Sequence, residues 1–192
     1  MRLASLLAAA LVAASAFTLT FGSAPAHAEP GDAVFAKNVV RTEPGITVPT
    51  SELRFEDGRT GSLTDYAGEV LVVTLWQEDC PWCMKELPVL DRLSGEMQGE
   101  GVRVVALGLD QEMGLITSFL DQRDLNNIEP VMDHEKINGS LLSIEHFGRW
   151  SIATPTSFIV DKSGTVVARI WGLVDWDGEP ARAFLRSLVL QS

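Results

Sequence analysis

The sequence predicts an α/β fold: a mixed central β-sheet flanked by helices, with an N-terminal β-hairpin extension and an insert ahead of the last two strands. Three observations predict it. The apolar run Val70-Leu71-Val72-Val73-Thr74-Leu75-Trp76 reads as a strand buried on both faces, and Val102 to Leu107 repeats that pattern. Between them, Leu87, Leu90, Leu93 and Met97 recur at helical spacing, with Lys85, Asp91, Arg92 and Glu96 largely on other faces. Near the C-terminus, Thr156 to Val160 and Val166 to Trp171 flank the turn residues Asp161-Lys162-Ser163-Gly164, which marks a hairpin. Strands alternating with helices and closed by a hairpin build a mixed sheet covered by helices.

Taken in order, the chain opens with Arg2, an apolar stretch over residues 3–21 rich in Ala and Leu, and the small-x-small sequence Ala26-His27-Ala28. This pattern reads as a signal peptide over residues 1–28 with Glu29 as the first mature residue; an uncleaved membrane anchor is the alternative. No Cys follows the apolar run, which excludes lipoprotein attachment. Residues 29–45, with Pro30, Gly31, Pro44 and Gly45, read as a linker or flexible arm, and one domain is expected over residues 46–192. Within it, Val48, Leu53 and Phe55 around Glu56-Asp57-Gly58 suggest a short hairpin, and Leu63 to Tyr66 a single helical turn closed by Gly68. The helix after the cysteines contains Pro88, expected to kink it. Helices are further expected over residues 115–123, 141–146 and 180–189, with a short apolar step at Val131-Met132.

The chain carries 26 acidic against 15 basic residues, a formal balance of −11, and loss of the leader removes one more positive charge, Arg2. Such a surface repels nucleic acid and anionic headgroups and steers basic partners; solvated acidic faces also serve solubility alone. No repeat or low-complexity segment follows the leader.

Cys80-Pro81-Trp82-Cys83 holds both cysteines of the 192-residue chain and follows the first buried strand. At a helix N-terminus, free N–H groups and the positive end of the dipole stabilise a thiolate on Cys80, lowering its pKa from about 8.5. Cys80 is then the nucleophile in disulfide exchange. Cys83, one turn on and expected to face inward, resolves the mixed disulfide. Other readings are weaker. Zinc needs four ligands, and only His134 and His146 are available beyond the leader. Haem attachment wants His after the second Cys, where Met84 stands. A disulfide closing so short a loop adds little stability.

These cysteines, together with Trp76, Glu86, Pro88, Thr154-Pro155-Thr156, Phe158-Ile159-Val160-Asp161 and Gly172, resemble in order the TlpA/ResA-like thiol-disulfide oxidoreductases of the thioredoxin superfamily. The resemblance runs from about Val48 to the C-terminus. It implies a thioredoxin-like fold in which Pro155 is the cis proline beside the active-site disulfide and Thr154 pairs with an extended substrate segment. The insert then lies before the cis-proline strand. It also implies a proton-handling role for Glu86, whose carboxyl would have a raised pKa if partly desolvated; a solvated first-turn glutamate is the plainer alternative. Trp76 and Trp82 join Thr154 and Pro155 as expected substrate contacts, with a core role open for Trp76. Arg149, Trp150 and Ile152 are further expected substrate contacts. Trp171 and Trp176 resemble the C-terminal segment of some proteobacterial relatives, with packing of the last helix as their expected role.

Departures from the family pattern matter. Thr74 stands where thioredoxin has a buried acid, which shifts the proton role to Glu86 or water. Glu78 and Asp79 precede Cys80, and both oppose a thiolate. No His lies between the cysteines, and a less stabilised reduced form is the better electron donor. The resemblance therefore points to an exported, periplasmic protein disulfide reductase, monomeric, with no cofactor beyond its redox-active disulfide and no metal. Its implied partners are proteins with disulfides or CxxC sites, among them apocytochromes c or copper-site proteins, and a membrane electron donor of the CcdA or DsbD type. A thiol oxidase or isomerase on the same fold and a copper-binding assembly factor are the rivals. A peroxidase would want Thr where Gln77 stands.

Overall fold

The computed structural model describes residue 35 and residues 37–42, 45–147 and 152–191. The signal peptide expected over residues 1–28, and Arg149 and Trp150, expected as substrate contacts, lie outside the described residues. Among those described, eight strands form one sheet: β1 (Val39–Arg41), β2 (Leu53–Phe55), β3 (Thr60–Gly61), β4 (Val70–Trp76), β5 (Val102–Gly108), β6 (Val131–Met132), β7 (Thr156–Val160) and β8 (Val166–Trp171). Their spatial order is β1-β8-β7-β4-β5-β6-β2-β3. The pairs β4/β5 and β5/β6 are parallel and the rest antiparallel, so the sheet is mixed, as expected.

Four α-helices among the described residues connect or cover these strands: α1 (Cys83–Met97), α2 (Met113–Asp121), α3 (Ile137–Phe147) and α4 (Glu179–Val189). No helix among the described residues is long and apolar enough to cross a membrane. The fold resembles the expectation closely, with one difference at the start. Residues 29–45 read as a linker or arm, yet Val39–Arg41 is an edge strand in register with Ala168, Arg169 and Ile170, and Phe35 is buried. Three residues of strand carry too little periodicity to be seen in a sequence; only the free edge of β8 calls for them.

Strand β4 lies near the middle of the sheet and is buried at all seven positions, which explains why its sequence is continuously apolar. Its alternate residues feed two cores. Val70, Val72 and Trp76 pack with α1, α2 and α4, while Leu71, Val73 and Leu75 pack with the β2–β3 side and Leu142 of α3. The exception to the apolar pattern, Thr74, is satisfied by a 2.7 Å hydroxyl contact with Ser157 on β7. This hydrogen-bonded hydroxyl pair carries no charge.

Helix α1 is held to the rest of the first core by its apolar face, Leu87, Leu90, Leu93 and Met97, all at most 1% exposed. Pro88 lies inside it, and the Arg92 guanidinium donates to the Pro88 carbonyl at 3.1 Å. The chain leaves the helix through a 3₁₀ turn and Gly101, whose φ of 87° is the left-handed conformation that glycine adopts without a Cβ clash. Three ion pairs then lace α1 and the turn after it to the C-terminal segment: Arg92 to Asp177, Glu96 to Arg182 and, from the turn, Glu100 to Arg186. Both members of each pair advance together along the chain, so α4 runs parallel to α1.

Candidate active site

The site begins where β4 ends. After Trp76, residues 77–82 turn back on themselves, with the Cys80 N–H donating to the Gln77 carbonyl at 3.2 Å, and α1 starts at Cys83. Cys80 and Cys83 are joined by a disulfide, their Cα atoms 5.2 Å apart. The two sulfurs are not equivalent. Cys83 is fully buried, whereas Cys80 retains 7% exposure, so an incoming thiol meets Cys80 first. The Cys83 backbone N–H donates to Cys80 Sγ at 3.1 Å, one of the free donors of the helix N-terminus aimed at the sulfur that must carry negative charge.

Glu86 sits one turn along α1 from Cys83, on the same helix face. It is 2% exposed, and burial pushes its carboxyl up to about 7, against the opposing pull of a hydrogen bond from Trp176. This is not a solvated first-turn glutamate. The donor is Trp176 Nε1–H, 2.9 Å from Glu86 Oε1, and the indole is itself fully buried. Sequence reading gave Trp176 a packing role and missed this contact. The available signal is chemical: an indole has one donor and no acceptor, so a buried one needs an acceptor, but the chain does not say which.

The substrate-side residues separate into two groups. The Thr154–Pro155 peptide is cis. Thr154 is partly exposed and Pro155 buried, and the sheet register sets them beside the end of β4, with Thr156 opposite Leu75. The Pro155 carbonyl accepts from the Gly172 N–H at 3.2 Å, which ties this loop to the end of β8. Trp82, between the two cysteines in sequence, is 56% exposed, with the Lys85 ammonium 4.5 Å from its ring centroid. Trp76 belongs elsewhere. It was expected among the substrate contacts, but it is 0% exposed and packs against Phe119 of α2 at 4.9 Å, so it offers no surface to a partner. Its position as the last residue of a strand buried on both faces decides this.

Glu78 and Asp79 are exposed beside Cys80. Behind them is an acid that sequence reading did not single out, Asp110, whose Oδ2 accepts the Glu78 N–H at 3.1 Å. Burial raises the Asp110 carboxyl above its usual range; the Glu78 N–H opposes this and the Asp79 charge adds to it. His134 lies beyond β6, next to Asp133, whose carboxylate accepts N–H groups of Asn138 and Gly139 at the start of α3. His146 falls within α3, its side chain outside the described residues.

Comparison with known proteins bears on this arrangement. The model of the AhpC/TSA family matches residues 44–169. A thiol-disulfide oxidoreductase ResA of Bacillus cereus is 30% identical over 117 residues, 60% of this chain and 62% of that protein, so the chain spans less than two thirds of that relative's length. ResA of Bacillus thuringiensis subsp. konkukian is 28% identical over 132 residues, covering 69% of this chain and 72% of the relative. Among solved structures, a thiol:disulfide interchange protein DsbE from Chlorobium tepidum matches with a TM-score of 0.64 at 23% identity, over 77% of this chain and 98% of that one, a likeness of fold.

Proposed function

The chain belongs to the AhpC/TSA family, and from that premise we propose that it is a thiol-disulfide oxidoreductase acting as a protein disulfide reductase. The observation that carries the reading is the asymmetric pair at the start of α1: an accessible Cys80, a buried Cys83 and a buried carboxyl, Glu86, on the same face. The relatives named ResA are similar in sequence and support the same chemistry.

In the reduced protein, the Cys80 thiolate attacks one sulfur of a substrate disulfide. A mixed disulfide forms and the substrate's other sulfur leaves as thiolate. Cys83 then gives its proton to the Glu86 carboxylate and attacks Cys80 Sγ, closing the Cys80–Cys83 disulfide and expelling the second substrate thiolate. Substrate gains two electrons and the protein loses two. A dithiol donor restores the cycle by attacking Cys80, and protonated Glu86 returns a proton to the departing Cys83. A carboxyl with a pKa near 7 is matched to both directions at neutral pH.

We further propose export, on the strength of Arg2, the apolar run and Ala26-His27-Ala28. Reduction outside the cytoplasm then needs electrons carried across the membrane, by a donor of the CcdA or DsbD class. Apocytochrome c CxxCH sites or copper-site cysteines fit such a reductase as substrates.

Replacing Cys83 with Ser in the native compartment is expected to accumulate a partner disulfide-linked to Cys80, and mass spectrometry of that adduct is expected to find a chain beginning at Glu29. The isolated wild-type protein should reduce insulin with a potential below about −200 mV. A potential near −120 mV would make it an oxidant, and stoichiometric copper binding without turnover would make it a scaffold.

A further inference from the structure

Trp176 and Asp177 stand together in the loop between β8 and α4, and each reaches a different site on α1. The Trp176 indole donates to Glu86 Oε1 at 2.9 Å, and the Asp177 carboxylate pairs with Arg92. The loop is therefore fastened to α1 at two points six residues apart. Behind the indole, Phe35 packs edge-on with ring centroids 5.9 Å apart, and Ala181 and Leu185 of α4 close the same core. The indole has no freedom to leave the carboxyl without disturbing all of these.

A carboxyl this deeply buried needs an orienting partner. One of its oxygens, Oε1, is held by the indole N–H, and Cys83 lies one turn earlier on the same buried face of α1. Besides Glu86 itself, the charged residues on α1, the loop and α4 are Lys85, Asp91, Arg92 and Glu96, Asp175 and Asp177, and Glu179, Arg182 and Arg186. Arg92 and Arg182 are engaged by Asp177 and Glu96, and no charged group contributes to the shift of Glu86, whose causes are burial and the indole alone.

We propose that Trp176 is a positioning residue for the thiol-exchange reaction: its indole N–H fixes the Glu86 carboxyl toward Cys83 and favours the ionised form that accepts the Cys83 proton. The inference rests on the reductase reading of Glu86 and adds the group that sets its orientation and working pH. The indole touches neither cysteine nor substrate; it acts through Glu86 alone.

The test is the pH profile of the resolving step, followed as release of a thiol from the mixed disulfide on Cys80, together with a spectroscopic readout. Wild type is expected to show a midpoint near 7, and Glu86→Gln to lose the profile. Trp176→Phe keeps the ring and removes the donor, so the midpoint should move up by about one pH unit, the worth of a hydrogen bond to a charged group. Glu86→Gln combined with Trp176→Phe should show no further pH effect. A midpoint unchanged in Trp176→Phe would overturn the inference while leaving the reductase reading intact. A profile unchanged in Glu86→Gln would overturn the reading itself. Should Trp176→Phe fail to fold, the wild-type indole Nε1–H resonance decides: it should titrate with the same midpoint near 7, and a resonance flat between pH 5 and 9 overturns the proposal.

Discussion

Glu86 is the buried carboxyl from which a pH dependence of stability is expected. Its carboxyl ionises near 7 in the folded protein rather than at the ordinary 4.5. Between those values the native state holds a proton that the unfolded chain has lost. Stability is therefore fully present below about 4.5 and falls as pH rises through 7. A shift of this size amounts to about 3 kcal/mol, fully felt above the folded pKa. Replacement by Gln keeps an acceptor for the indole and removes the charge. Urea unfolding of the oxidised proteins should show wild type and Glu86→Gln nearly equal at pH 4.5, with the variant more stable by up to about 3 kcal/mol at pH 8. Equal stabilities at pH 8 would mean that the carboxyl is solvated. A stability cost of this kind at neutral pH is the pattern in which perturbed ionisable groups cluster at functional sites.

At the scale of elements, the site depends on how closely α2 approaches the sheet. Gly108, the last residue of β5, pairs with Trp76 at the end of β4. A Cβ at Gly108 would lie 2.4 Å from Ile116 Cδ1 and 2.7 Å from Ile116 Cγ1, with the Val131 carbonyl at 3.3 Å. Helix α2 can rest here, and Phe119 can reach Trp76, because that position has no side chain. Gly108→Ala should lower stability by about 2 kcal/mol through overpacking, seen as a drop in melting temperature. Adding Ile116→Val, which removes the closest methyl, should recover part of that loss. No recovery would place the clash on the Val131 backbone instead. Helix α1 shows the complementary logic. Its inner face carries Cys83, Glu86, Leu87 and Leu90 in unbroken burial, so the residues proposed to carry the chemistry share a stripe with those that anchor the helix.

For the molecule as a whole, the segment ahead of the domain is part of it. Phe35 is 5% exposed and touches both Trp176 and Phe184, and β1 extends the sheet beyond β8. A free arm would add nothing to stability. Phe35→Ala should cost about 3 kcal/mol, the range for truncating a buried aromatic, read from urea unfolding midpoints. A change below about 0.5 kcal/mol would return residues 29–45 to the status of a linker. Since Phe35 backs the indole that holds Glu86, it forms part of the wall of the candidate site.

What the sequence determined by itself is local and periodic. The buried strands β4 and β5, the amphipathic α1, the terminal hairpin and the cysteine spacing are all written in runs of neighbouring residues, because burial on one face or two imposes a period on the chain. The cysteines at a helix start and Glu86 one turn beyond follow from the same short-range geometry. What only the tertiary structure decided are contacts between distant segments: Trp176 on Glu86 across 90 positions, Phe35 on Trp176, Thr74 with Ser157, and the complete burial of Trp76. A hydrogen bond fixes the partner's chemistry and not its place in the chain, so a buried indole announces that it needs an acceptor and leaves the fold to choose which one.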